Sequence, residues 1–216
     1  MSGKTEFGEI IKILKKAYPG TTIALKFGNL FQLLVAVQLS AQCTDERVNK
    51  VTPSLFKQFP GVKNFAECNV GELERLIYST GFYRNKARNI RASAVKILAN
   101  FGGKVPDNMK DLLSLPGVAR KTANVILSAG FGRSEGIVVD THVARLTGRL
   151  GFVSMKLSKA KNAVKIEQEL MGLVPREDWG IFSYLMITHG RRICVARTPK
   201  CRICVLNKIC PSAEEC

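Results

Sequence analysis

Between Asn89 and Phe101 the apolar residues Ile90, Ala94, Ile97, Leu98 and Phe101 follow one another at steps of four, three, one and three, and Gly102-Gly103 come directly behind. That is one stripe of an α-helix with a stop signal after it. The same rhythm recurs along the chain, and no sustained alternation of apolar and polar residues offers a sheet a buried face. An all-α protein is expected. Residues 30–41 form the most apolar run, but Gln32 and Gln38 interrupt it and it falls short of the roughly 20 residues that span a bilayer, so it reads as a buried helix. Residues 1–18 mix Glu6, Glu9, Lys12, Lys15 and Lys16 with Ile10, Ile11, Ile13 and Leu14, an amphipathic helix without the core or cleavage site of a signal peptide. Further starts are expected at Asn69, with Gly81 closing that element, at Asp107 for a short helix through Leu113, and at Ser158 for one running to about Met171.

Charge narrows the partners. The 216 residues carry 33 Lys plus Arg against 17 Asp plus Glu, a net charge of +16, while 46% are hydrophobic. Enough apolar material is present for a sizeable core, and the excess is shared equally by the two halves, so the basic character belongs to a folded body rather than to a tail. A polyanion is the expected partner.

Two segments carry chemistry. In Asp111-Leu-Leu-Ser-Leu-Pro116-Gly117-Val-Ala119-Arg120-Lys121-Thr-Ala-Asn-Val, a helix ends, Pro-Gly turns, and a second helix starts. Pro116 sets its own φ and Gly117 reaches conformations closed to side chains, so backbone N–H groups from Gly117 to Arg120 are placed to face an anion at the positive end of a helix. Such contacts hold register on a phosphate backbone and read no bases. Lys121 stands where the helix dipole disfavours a cation, a setting that favours the neutral, nucleophilic amine, although on a chain this basic the residue taken alone reads as a phosphate contact. Asp140, after Ile137-Val138-Val139 and before Thr141-His142, has the position of an N-cap. Arg84, Lys86, Arg88 and Arg91 come without an acid between them and read as a solvated helix face.

The second segment is a cysteine cluster. Cys194, Cys201, Cys204 and Cys210 have the spacing C-x6-C-x2-C-x5-C, and four thiolates so close together suit tetrahedral zinc or an iron–sulfur cluster. Cys43, Cys68 and Cys216 fall outside this set. Arg191, Arg197, Lys200 and Arg202 surround it, with no acid across residues 191–211, so the loop is expected to present positive charge to phosphates.

Taken together, Leu115-Pro-Gly-Val-Ala-Arg-Lys-Thr-Ala-Asn, Val138-Val-Asp140-Thr-His142-Val, Leu39-Ser-Ala-Gln42-Cys-Thr-Asp45, Ser79-Thr-Gly-Phe82-Tyr and the terminal cysteines resemble the endonuclease III branch of the helix-hairpin-helix DNA glycosylases. The likeness runs from about residue 25 to residue 210. It implies a helical domain at 25–135 carrying the hairpin at about 107–130, a second one formed by 1–24 with 136–216, and a cleft between them. It implies Lys121 as the nucleophile at the sugar C1′ and Asp140 as its acidic partner, with Gln42 and Phe82 entering the vacated base stack. The family usually has Leu where Phe82 stands. Gly117, Ala119 and Arg120 would meet phosphate, and the four cysteines would hold a [4Fe-4S] cluster. The implied activity is a bifunctional glycosylase and abasic-site lyase for oxidised pyrimidines such as thymine glycol, cutting 3′ to the abasic site by β-elimination. The implied partner is duplex DNA with damaged bases or abasic sites, met by a monomer in a prokaryotic-type cytoplasm at the nucleoid. A mismatch glycosylase of the same fold, for G·T or for adenine opposite oxidised guanine, and a non-catalytic iron–sulfur DNA-binding protein are the alternatives. Lys121 and Asp140 both count against them.

Overall fold

A computed structural model describes residues 3–213, and among them the chain is helical with no strand. The helices are α1 (Gly3–Ala17), α2 (Leu30–Leu39), α3 (Asp45–Gln58), α4 (Val62–Glu67), α5 (Val70–Ile77), α6 (Tyr83–Phe101), α7 (Met109–Leu113), α8 (Arg120–Phe131), α9 (Thr141–Arg149), α10 (Met155–Ala160), α11 (Ala163–Leu173) and α12 (Trp179–Arg192). Short 3-10 segments lie at Tyr78–Thr80, Arg176–Asp178 and Cys201–Ile203. Among the described residues no helix is long and apolar enough to cross a membrane.

The chain divides into two compact units, Ala24–Arg133 and a second that joins the residues up to Ile23 to those from Ser134 onward. In the first unit α2 is the central helix. Every residue from Phe31 to Leu39 except Gln32 is buried, which suits a helix with neighbours on all sides, and α3, α6 and α8 supply them. The packing of α8 on α2 is close. A Cβ on Gly130 would lie 2.7 Å from a Leu30 methyl, so this contact admits glycine alone without a shift. Burying side chains such as Leu33, Leu34, Leu39, Ile90 and Ile97 contributes about 1.5–3 kcal/mol each before entropy is counted.

In the second unit α1, α9, α11 and α12 bury Ile11, Leu14, Leu146, Ile166, Leu170, Phe182 and Leu185 around one core, and Lys15 of α1 pairs with Asp178 ahead of α12. Two expected helix starts are displaced. The short helix before the hairpin is capped by Asn108, not Asp107, with the Asn108 side chain accepting from the Asp111 N–H at 3.0 Å; Asp107 instead pairs with Arg133 at 3.0 Å. The helix expected from Ser158 to about Met171 is two helices. Lys161 takes a left-handed φ of 52° that ends α10, and Asn162 caps α11, while Ser158 sits inside α10 with its hydroxyl bonded to Ala144 O at 2.7 Å.

Candidate functional site

The hairpin is built almost wholly from neighbours in sequence. After α7 the Leu115 N–H bonds Leu112 O, and the Val118 N–H turns back to Leu115 O at 3.2 Å, so Val118 is spent inside the turn rather than offered outward as expected. Gly117 has φ +74°, and a Cβ there would stand 2.9 Å from Asn89 of α6, so conformation and space both demand glycine. From below, the Gln38 amide and the Ser93 hydroxyl both donate to Pro116 O at 2.9 Å. Both side chains are buried, which ties the turn to α2 and α6.

Ala119 caps α8 without a side-chain hydrogen bond, and no acid stands in the first turn. The positive end of a twelve-residue helix is therefore left for an outside anion. Arg120 and Lys121 occupy that first turn and both are exposed. The Lys121 amine is open to approach by a substrate.

Asp140 is the N-cap of α9, its carboxylate accepting from the Val143 N–H at 2.8 Å. The segment before it is pinned by the buried side chains of Ile137 and Val139 and by the Ser183 hydroxyl on Val138 O at 2.8 Å. A half-buried carboxylate results, fixed in direction yet reachable by solvent.

Gln42 and Phe82 share an unusual backbone. Their φ values are 53° and 48°, left-handed conformations that side chains other than glycine rarely adopt, and both residues are exposed. Phe82 exposes 64% of its surface, so it is not a core aromatic. Lys86 departs from the solvated face expected of residues 84–91: it is buried, and its amine donates to Leu39 O and Thr80 O, each at 2.8 Å.

In the cysteine loop, Cys194, Cys201, Cys204 and Cys210 line one cavity of about 160 Å³, with Arg197 and Lys200 at its wall. Among the described residues no three His, Cys, Asp or Glu side chains converge closely enough for a single metal ion. A four-iron cubane gives each cysteine its own iron, so four sulfurs spread around a cavity suit it better than one tetrahedral ion. Cys194, Cys204 and Cys210 carry free thiols, which ligate a metal only as thiolates. Burial pushes the Cys204 thiol above its ordinary pKa, so it too must surrender a proton to a metal.

Sequence reasoning missed the side chains that shape this loop. Arg149 donates to Cys194 Sγ at 3.3 Å, to Val195 O at 2.9 Å and to Ala196 O at 2.8 Å, and Arg145 donates to Gly190 O and Cys194 O. His189, given no role above, places Nε2 3.5 Å from Cys204 Sγ while Nδ1 meets the Tyr18 hydroxyl at 2.8 Å. Burial lowers its pKa to about 4, so the ring is neutral near pH 7. Toward a thiolate at Cys204, the ring must carry its proton on Nε2 and accept from Tyr18 at Nδ1. Arg191, Arg197, Lys200 and Arg202 all lie at the exposed surface, as their spacing implied.

The model of the HhH-GPD superfamily of base excision DNA repair proteins matches residues 35–176. Endonuclease III of Synechocystis sp. is 53% identical over 213 residues, covering 99% of this chain and 95% of that relative. The chain belongs to the endonuclease III family. Endonuclease III of Escherichia coli K12 is 37% identical, covering 96% of this chain and 95% of its own length. The solved structure of a trapped endonuclease III–DNA covalent intermediate superimposes with a TM-score of 0.90 at 40% identity, covering 100% of this chain and 99% of that one. A thermostable thymine-DNA glycosylase, 21% identical with a TM-score of 0.85, shares the fold. In this chain the hairpin and Asp140 fall inside the matched 35–176 segment, and the cysteine loop lies beyond it.

Proposed function

We propose that this protein is a DNA glycosylase and abasic-site lyase of base excision repair that removes oxidised pyrimidines, thymine glycol among them, from duplex DNA. The observation that carries the reading is the exposed Lys121 in the uncapped first turn of α8, directly behind a glycine turn suited to a phosphate. The phosphate, held by backbone N–H groups near Gly117, Ala119 and Arg120, brings the sugar to the amine.

The damaged base leaves as the C1′–N bond breaks, taking a proton with it, and positive charge develops on the sugar. Asp140, held by its cap bond, stabilises that charge, and the Lys121 amine forms the new bond to C1′. Opening of the sugar ring gives a Schiff base, which acidifies the C2′ proton. Loss of that proton expels the 3′ phosphate oxygen, and water then releases the lysine. A base stacked in a duplex cannot meet the amine, so the nucleotide is turned out, and Gln42 and Phe82 fill the vacated stack.

Cys194, Cys201, Cys204 and Cys210 would hold a [4Fe-4S] cluster, which when bound cross-links four points of the loop. Arg145, Arg149 and His189 orient the cysteines, and Arg191, Arg197, Lys200 and Arg202 meet backbone phosphates. A chromosomal DNA substrate fits action at the nucleoid of a prokaryotic-type cytoplasm, with the protein working as a monomer.

Borohydride added to protein and a thymine glycol duplex tests the assignment. A covalent adduct is expected with the parent and none with Lys121→Gln; equal trapping by the variant would overturn the role of Lys121.

A further inference from the structure

The region most at odds with its sequence is the start of α6. Lys86 is 7% exposed in a helix whose neighbours Arg84 and Arg88 face water. A buried lysine loses the hydration of its charge, so its place must be justified by what it bonds. Its amine donates to Leu39 O, at the end of α2, and to Thr80 O, at the end of the 3-10 segment Tyr78–Thr80. Both carbonyls sit at the negative end of a helical segment, where acceptors lack partners along the helix and a cation is favoured. Its own N–H also bonds Phe82 O at 3.0 Å. One residue thus holds the roots of two turns that are about forty residues apart.

Each of those turns leads within three residues to a strained, exposed side chain. Gln42 follows Leu39, and Phe82 follows Thr80, both with left-handed φ. Such a conformation persists only where the surroundings over-determine it. Burial of Phe82 does not do so, since the residue is 64% exposed. The fixed points available to both turns are the carbonyls bound to Lys86. Burial also lowers Lys86 from the ordinary lysine pKa, as expected for an amine kept from water.

We infer that Lys86 is a positioning residue that locks the Gln42 and Phe82 turns to one another, so that the two side chains enter the DNA stack as a single preformed wedge. The inference rests on the wedge role proposed above for those two residues. Lys86 touches neither the lesion nor Lys121's bond to the sugar; it acts through the two turns.

Single-turnover excision of thymine glycol in a duplex is compared with β-elimination at an abasic site that has no partner base and needs no wedge. Lys86→Met is expected to slow excision about tenfold or more and to leave elimination within about twofold, since only the first requires base extrusion. Added to Phe82→Ala it should cost no more than about another twofold, because residues acting through one device are not additive. Equal losses on both substrates, full additivity, or parental excision by folded Lys86→Met each overturn the inference. If Phe82→Ala and Gln42→Ala themselves excise at the parental rate, the wedge reading falls first. Should Lys86→Met fail to fold, Lys86→Gln, which can reach one carbonyl but not both, takes its place in the same comparison. Hydrogen exchange in the parent supplies a measurement free of mutation. Residues 40–43 and 80–83 should gain protection together on binding an abasic duplex, and protection of one segment alone overturns the proposal.

Discussion

The hairpin and the cysteine loop, both proposed to meet DNA phosphates, keep their shapes by opposite means. The hairpin holds its shape with short-range bonds, Val118 to Leu115 and Asn108 to Asp111, and is fixed to its neighbours by Gln38 and Ser93 beneath Pro116 and by Lys96 on Ser114 O. Among the described residues of the cysteine loop the one regular element is the 3-10 turn Cys201–Ile203, and the carbonyls of Cys194 and Val195 are gathered by Arg145 and Arg149, more than forty residues upstream. A helical turn satisfies its own backbone, whereas an irregular loop must borrow partners. The lesson is that the hairpin should tolerate damage elsewhere and the loop should not.

The largest expected effect separates chemistry from architecture. Lys121→Gln should lower abasic-site cleavage by about a thousandfold or more and leave the melting temperature within about 2 °C, since the residue is exposed and supports no packing. A large stability change would show that the hairpin depends on its nucleophile. Cys204→Ser should come next. Its hydroxyl is a poor iron ligand, so the visible absorbance expected of the proposed cluster should vanish, and hydrogen exchange should rise across residues 194–210 while the hairpin keeps its protection. Exchange rising equally at residues 115–127 would break the contrast.

Gly117→Ala should cost about 1–3 kcal/mol, from a φ of +74° and a Cβ 2.9 Å from Asn89. Adding Asn89→Ala removes Cγ and Nδ2 but keeps the Cβ 2.9 Å away, so it should recover only part of the clash and none of the cost of φ, which thermal unfolding of both variants can read. Arg149→Met should destabilise by about 1–3 kcal/mol by leaving Val195 O and Ala196 O without a donor, with losses confined to the loop. Smallest is Arg202→Gln. It should lower the slope of log binding constant against log salt by about one and leave unfolding unchanged; an unchanged slope would take Arg202 off the phosphate-contact surface.

Much of the fold was legible because helices announce themselves locally. The stripe from Ile90 to Ile97, the cap at Asn69 and the stop at Gly102 all stand where their spacing put them. Where two capping residues adjoin, spacing could not choose: Asn108 took the cap because Asp107 found Arg133. No pattern near Lys161 announced the left-handed residue that divides 155–173 into two helices. Lys86 was misread because a basic run looks solvated from sequence, and the carbonyls that bury one member lie six and forty-seven residues away.

What the sequence determined by itself was the helical class, the glycine turn, the cap at Asp140 and the grouping of four cysteines, all matters of residues within a few positions of each other. Tertiary structure decided which of these groups are supported and by whom: Gln38 and Ser93 under the hairpin, Arg149 and His189 against the cysteines, Lys86 between two strained turns. The reason is physical. Capping and periodicity are governed by bonds over three or four residues, whereas a buried donor is satisfied by whatever acceptor the packing brings to it, at any distance along the chain.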